Sequence, residues 1–515
     1  MNNTPNQTNV TVFPIPKKAS RSYTVSESIF AWFCFLAGYI FCRVFPVGKN
    51  PLGGFLFLIS LFIGTAIIFK IQKKLFGILP TILAFSAILV SAALISCSNV
   101  FMRFLAFIYA LFTYFYFIYS VHGNAIKKNF SGFILLDYIN ALLTAFDSIF
   151  EFFKAMFYGK IRKSGTVILK ILGGIAITII PTIIVLSLLS YDSTFSTILE
   201  NIFDFEDLNI FSHILSLILA VPIGMYMFGT YVSCADKSFS NQIASGATET
   251  TLKKMRLLSA LTLSIASLPI LFLYVVFFIS QWQYYISGFT GVLPEGFSYA
   301  EYAREGFFQL MAVSFINLVI LLVIYLFMKR DTVLPKILLK ILTIVYSVFT
   351  LILISTALAK MLMYIDCYGL TQKRVYTTCA MIILAAFFVL MIIRQFMKKL
   401  PVVAITLVLS FIMFIGLTLF NIDSTIASYN VDRYIDGSLE SVDIEALEDL
   451  GYAGIPELVR LLDVISADED PSTYKEIMEI LEDMADDLKD EDRNVFSFSI
   501  PASKAEAALK EIELL

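Results

Sequence analysis

The sequence predicts an all-α, polytopic integral membrane protein: a bundle of about eleven transmembrane helices followed by a small helical extramembrane domain. Three observations predict it. The composition is 58% hydrophobic with a mean hydropathy of +0.80, beyond the range of soluble domains. Eleven apolar stretches fill 28–45, 52–69, 75–96, 104–121, 171–190, 214–232, 257–280, 307–328, 337–361, 375–393 and 402–420. Each can cross ~30 Å of hydrocarbon at ~1.5 Å per residue, and none carries a charge near its middle. Charge is also divided along the chain. Residues 431–515 hold 24 acidic and 7 basic side chains, whereas the first 430 hold 17 acidic and 31 basic. A basic membrane domain is thus joined to an acidic tail.

Residues 1–27 are polar and read as a disordered cytoplasmic N-terminus. Lys17, Lys18 and Arg21 precede the first apolar stretch, and no small-residue cleavage site follows, so that stretch reads as a retained helix. The membrane domain is 28–420. Four spans lead to a long connection, 122–170, in which Ile134, Leu135, Tyr138, Leu142, Phe146, Ile149 and Phe153 recur at helical spacing. Asp137, Asp147 and Glu151 interrupt that run, which favours an interfacial helix at about 131–158 over a twelfth span. The loop at 191–209 is acidic and amphipathic, and the one at 233–256 is Ser/Thr-rich without a phosphate-binding glycine pattern. The aromatics, glycines and Pro294 of 281–298 suit partial re-entry into the membrane. In the tail, 421–515, Gly451, Pro456 and Pro471 punctuate short helices. Its acidic clusters, 468–470 and 483–492, lack EF-hand spacing and read as a solvated face.

The basic residues orient the chain. With the N-terminus inside, 24 of the 31 fall in inner segments, and Arg43, Lys49, Arg103, Arg304, Lys360, Lys373 and Arg374 fall outside. A Lys/Arg excess marks cytoplasmic loops, so the expectation is N-terminus cytoplasmic and C-terminus extracytoplasmic. His122 and His213 map to opposite faces and the six cysteines form no CxxC pair, so neither a metal site nor a cofactor is expected. Nucleic acid is not an expected partner either.

The helix centres offer only groups such as Ser314, Asn317 and Thr343, which disfavours a carboxylate-driven transporter. Backbone at Pro181, Pro222 or Pro269 could still bind a cation. Polar residues gather instead at the predicted outer face, in three groups. The first is Tyr299, Glu301, Tyr302 and Arg304 before the eighth span. The second is Asp366, Tyr368, Thr371 and Arg374 between spans nine and ten. The third is Asn421, Asp423, Asn430 and Arg433 after span eleven, where Asp423, Ala427, Asn430 and Arg433 recur on one helical face. Arginine suits a phosphate or carboxylate, and a carboxylate can act as a base or bind a cation. Each group also has a structural reading. Ser298-x-x-Glu301 is a capping box, the tyrosines suit an interfacial belt, and Asp423, Asn430 and Arg433 can cap span eleven and dock the tail.

Those segments resemble an uncharacterised bacterial multi-pass membrane-protein family, the DUF4173/DUF4153-like group. The resemblance rests on Tyr299-Ala300-Glu301-Tyr302-Ala303-Arg304 with Gly306 to Leu310, Tyr368-Gly369-Leu370-Thr371 with Arg374, and Asn421-x-Asp423 with Ile426, Ala427, Asn430 and Arg433. It implies a bacterial inner-membrane location and no established activity. The expected function is a cell-envelope transport, assembly or sensing component with a polar ligand site at the outer face. The alternative is a membrane enzyme acting on a lipid-linked envelope substrate, which the short first outer loop, 46–51, disfavours. Expected partners are the lipid bilayer, a lipid or envelope precursor, and a protein bound through the acidic tail.

Overall fold

The computed structural model describes residues 21–45, 49–126, 134–157, 185, 208–236, 254–280, 307–329, 333–465, 468, 470–490 and 494–515. Regular structure among them is helical, apart from one isolated bridge between Leu258 and Met328. Ten of the described helices are long and apolar enough to cross a membrane.

The first group of helices is α1 (Val25–Val44), α2 (Pro51–Ile71), α3 (Ile78–Ser91) with its short continuation α4 (Ala93–Ser96), α5 (Val100–Val121) and α8 (Leu208–Asp236). Their starts follow local chemistry. Thr24 and Glu27 form a capping box for α1, Pro51 opens α2, and the Asn99 side chain accepts from Met102 N at the head of α5. Between α5 and α8 lie α6 (Ile134–Leu143) and α7 (Glu151–Met156), separated by a 3-10 turn at Thr144–Asp147. Phe30, Phe69, Phe107, Tyr114, Phe152 and Phe228 fill the centre of this group.

In a bilayer, helices associate by close packing rather than by escape from water, so small residues mark the contact. Here α1 and α8 meet at Gly38, Ala220 and Gly224. A Cβ on Gly38 would sit 2.7 Å from the Ala220 carbonyl oxygen, and one on Gly224 would sit 3.2 Å from the Cys34 carbonyl oxygen. Gly38→Ala is therefore expected to lower stability by about 1–3 kcal/mol, because backbone rather than a movable side chain must give way. Gly416 provides the control: it is a helical glycine at which a Cβ would meet nothing within 4 Å. Gly416→Ala should leave stability unchanged or raise it by about 0.5–1 kcal/mol. Melting temperatures of the full chain in detergent check both, and equal effects at the two sites would sink the packing argument.

The second group is α9 (Ala260–Ser280), α10 (Phe307–Phe327), α11 (Val333–Tyr368) and α12 (Gln372–Phe396), around Leu321, Ile324, Tyr346, Ile354 and Phe388. Asn317 ties three of them together. Its Nδ2 donates to Thr350 Oγ1 at 2.9 Å, and Tyr274 OH donates to its Oδ1 at 2.5 Å. Large apolar side chains such as Leu261, Phe272, Phe308 and Phe315 face outward, as a lipid solvent allows. At ~1.5 Å per residue, the 36 residues of α11 span about 54 Å, well beyond the apolar layer. The helix is therefore longer than a perpendicular crossing of the apolar layer requires.

A third group begins with α13 (Val402–Leu419) and α14 (Ile422–Ile435). It continues through the tail helices α15 (Ile444–Glu448), α16 (Ile455–Leu462), α17 (Pro471–Asp490) and α18 (Ile500–Glu511). Leu447, Ile455, Leu458, Leu461, Ile477, Leu481 and Leu509 form the tail core, and Ile426, Ala427 and Val431 of α14 belong to it. The tail rests on the ends of the membrane helices: Leu52 at the start of α2 lines a cleft with Val495, Phe498 and Ser503.

Polar contacts fix which helix ends share a side. Arg21 pairs with Asp236, and Asn124 Nδ2 donates to the Cys234 carbonyl at 2.9 Å, so the start of α1 lies with the ends of α5 and α8. Arg43 donates to Ser212 Oγ at 2.9 Å, which places the start of α8 beside the end of α1. Helices α5 and α8 thus run in the same direction, and the chain changes sides between Val121 and Leu208. The apolar stretch 171–190 falls in that interval and, apart from position 185, lies outside the described residues. Most of the loops at 191–209, 233–256 and 281–298 also lie outside them.

Candidate functional site

Of the twelve sequence candidates, Tyr299, Glu301, Tyr302 and Arg304 lie outside the described residues. The other eight, Asp366, Tyr368, Thr371, Arg374, Asn421, Asp423, Asn430 and Arg433, come together on the tail side. They form a junction between the α11–α12 turn and α14.

The α11–α12 turn is built by its own residues. Gly369 holds φ +71°, the left-handed conformation that commonly ends a helix. Arg374 Nη1 donates to the carbonyls of Tyr368 and Gly369, at 2.8 and 2.5 Å, covering the free acceptors at the end of α11. Its guanidinium also lies 4.2 Å from the centre of the Tyr364 ring. Thr371 Oγ1 accepts from Arg374 N at the head of α12. These residues make a tight reversal.

Helix α14 grips that reversal. Asn421, at φ +44°, breaks the chain between α13 and α14; asparagine is one of the few side chains that adopts this region readily. The break turns Asp423, Ala427 and Asn430 inward on one face. Asn430 clamps Leu370 through two bonds, accepting from its N–H at 2.7 Å and donating to its carbonyl at 2.8 Å. Arg433 donates to the carbonyls of Ile365 and Ser438 and lies 3.4 Å from Asp366. That pair is weak, since the Asp366 side chain is 80% exposed.

Asp423 is fully buried. It accepts from Asn99 N at 3.1 Å and from Gln372 Nε2 at 2.9 Å, while Asn99 Nδ2 donates to Gln372 Oε1 at 2.8 Å. Burial raises its pKa above the ordinary carboxylate value, opposed by the Gln372 and Asn99 hydrogen bonds and the Arg103 charge. Arg103, itself buried, donates from Nε to the Cys97 carbonyl at 2.6 Å. The Cys97 thiol, 3.9 Å from Asp423, is pushed up to about 12 by burial and that carboxylate. It is thus a thiol rather than a nucleophile at neutral pH.

Cys97, Asn99, Arg103 and Gln372 are partners that the sequence does not reveal. Arg103 is visible as one of few outer basic residues, but nothing in the sequence joins it to a carboxylate 320 positions away.

A family model described as a domain of unknown function, DUF4153, matches residues 84–461. That interval is well over half of the chain. The chain belongs to the DUF4153 family. The matched region starts within α3 and ends within α16, so every junction residue lies inside it. No curated protein and no solved structure matches the chain.

A second polar cluster lies on the side of this DUF4153 protein opposite the tail. Arg21 pairs with Glu27 and Asp236, and Tyr231 OH lies within hydrogen-bonding distance of Glu27 and Gln72, at 3.3 and 3.2 Å. Burial lowers Lys74 to about 8 and, with Lys74 nearby, His122 to about 3. Asp137, accepting from Ile126 N, is pushed up to about 6 by burial. The paired groups tie the ends of α1, α2, α5 and α8 together. In the sequence, Asp137 stands out only as an interruption of an apolar run.

Proposed function

We propose that the chain is a cell-envelope component of a bacterial inner membrane, with its N-terminus inside and its acidic tail outside, and that it works in assembly or sensing. The observation that carries this reading is the set of bonds made by Asp423. A catalytic acid or base must reach its substrate. Asp423 instead has no solvent exposure and is occupied by groups from the α4–α5 turn and α12. Such a carboxylate joins parts, and what it joins is the α14 anchor of the tail to three membrane helix ends. The polar ligand site then lies on what the junction leaves open at the outer face: Asp366, Tyr368 and the neighbouring tail surface. Transport is the weaker member of the class, because no described spanning helix carries an acidic side chain at mid-span and the one buried amide there, Asn317, is bonded to Thr350 and Tyr274. The enzyme alternative loses support for the same reason as catalysis by Asp423.

Neutralising Glu476, Glu479, Asp483 and Asp487, all exposed on α17, should leave insertion and melting temperature unchanged. In cells lacking the native copy, that variant and Asp366→Asn should fail to restore growth under envelope stress. Full restoration by both would overturn the reading. The orientation has its own check. In a Cys367→Ser background, since native Cys367 is itself exposed on the tail side, Lys373→Cys should react with a membrane-impermeant maleimide on intact cells and Lys399→Cys should not; the reverse pattern rejects it.

A further inference from the structure

On the side opposite the tail, a cavity of about 630 Å³ opens between the ends of α10 and α12 and the start of α13. Its walls are largely apolar, with Leu318 and Leu322 from α10, Phe387 and Met391 from α12, and Val403 from α13. Two cations line it: Arg394, from the last turn of α12, and Arg256, just before α9. The Arg394 guanidinium lies 5.5 Å from the centre of the Tyr325 ring, and Gln395 Nε2 donates to Tyr325 OH at 3.2 Å. Both arginines are half-buried, and neither takes part in an ion pair among the described residues.

Half-buried cations at a membrane border need a counter-charge, and no described residue supplies one here. The surrounding sequence makes the imbalance larger. Segments 254–260, 322–336 and 390–403 carry Lys254, Arg256, Lys329, Arg330, Lys336, Arg394, Lys398 and Lys399 against the single acid Asp331. Guanidinium forks match phosphate oxygens better than any other common anion except carboxylate. The apolar wall selects further. A free anion has no use for Leu318, Leu322 and Phe387, and a zwitterionic headgroup would bring its own cation against two arginines. Leu322 is 55% exposed, so the wall continues onto the lipid-facing surface of α10.

We propose that this cavity holds an anionic phospholipid, its phosphate between Arg256 and Arg394 and its acyl chains along α10 and α12. The inference is independent of the tail-side reading, since the two sites lie at opposite ends of α12. The test is native mass spectrometry of the full chain in micelles containing equal phosphatidylglycerol and phosphatidylcholine of identical chain length. The parent should retain phosphatidylglycerol with a preference of about 10-fold, a difference of about 1.4 kcal/mol. The double variant Arg256→Gln, Arg394→Gln should bring the two lipids within about 2-fold. Lys398→Gln with Lys399→Gln, exposed charges outside the cavity lining, should keep the preference. Equal retention of both lipids by the parent overturns the proposal, and that comparison needs no variant to fold. Displacement of the lipid by millimolar inorganic phosphate also overturns it, as an anion site without a lipid requirement. So does loss of preference in the lysine variant alone, which would assign the effect to general surface charge.

Discussion

Asp423→Ala is expected to destabilise the full chain by about 3–5 kcal/mol, the largest effect of any single side-chain removal at the junction. The loss has three parts. The Asn99 N–H and the Gln372 amide, both facing the carboxylate, lose their acceptor, and a buried donor left unpaired costs about 1–3 kcal/mol. Arg103 loses the nearby negative charge while remaining buried. A cavity is left where α14 meets the α4–α5 turn. Asp423→Asn keeps one acceptor and the volume, so it should cost less, about 1–2 kcal/mol. The two variants also differ from the parent in pH dependence. Burial raises the folded-state pKa of Asp423 above its unfolded value. The folded state therefore binds more protons between those two values, and stability falls as pH rises through that window, then levels off. Both substitutions should remove that slope. Melting temperatures in detergent across the acidic range measure it, and an alanine variant as stable as the parent would show that the carboxylate is not the joint.

The membrane domain is legible in the sequence because one physical requirement dominates it. A helix surrounded by lipid must be apolar over about twenty residues, and that shows without knowledge of any neighbour. Ten of the eleven stretches correspond to described helices, and the eleventh, 171–190, lies outside the described residues apart from position 185. The inward face of α14 is legible too, because Asp423, Ala427 and Asn430 recur at helical spacing. What those residues touch is not. The partners of Asp423 come from residues 97–103 and from Gln372, brought together only by the packing of α13 against α3 and α4. Asn430 meets a main-chain group, Leu370, and the identity of a residue says nothing about where its backbone is presented. The reach of α11 has the same character. Its apolar stretch ends near residue 361, but the helix continues to Tyr368, so Asp366 lies within the helix rather than in a loop beyond it.

The second large effect is expected at Gly369, and it separates a rigid junction from a mere contact. At φ +71° an alanine there carries about 1–2 kcal/mol of backbone strain by itself. Its Cβ would also fall against Asn430 Oδ1, inside contact distance, and that oxygen cannot retreat without releasing the Leu370 N–H. Gly369→Ala should therefore cost about 2–4 kcal/mol in the parent, strain and overpacking combined. Asn430→Ala should cost about 2–4 kcal/mol through two lost bonds to Leu370. The two losses should not add. Once Asn430 is alanine, the obstruction is gone, and Gly369→Ala then costs only its strain. The expected coupling is about 1–2 kcal/mol in the direction of a less-than-additive double variant. Additive losses would mean that the turn relaxes away from α14 without resistance, and a junction that yields so easily could not hold the tail against the membrane helices. A measured coupling of the expected size makes the α11–α12 turn and α14 one mechanical unit. Displacement of the tail by a bound partner would then have to move the membrane helices as well.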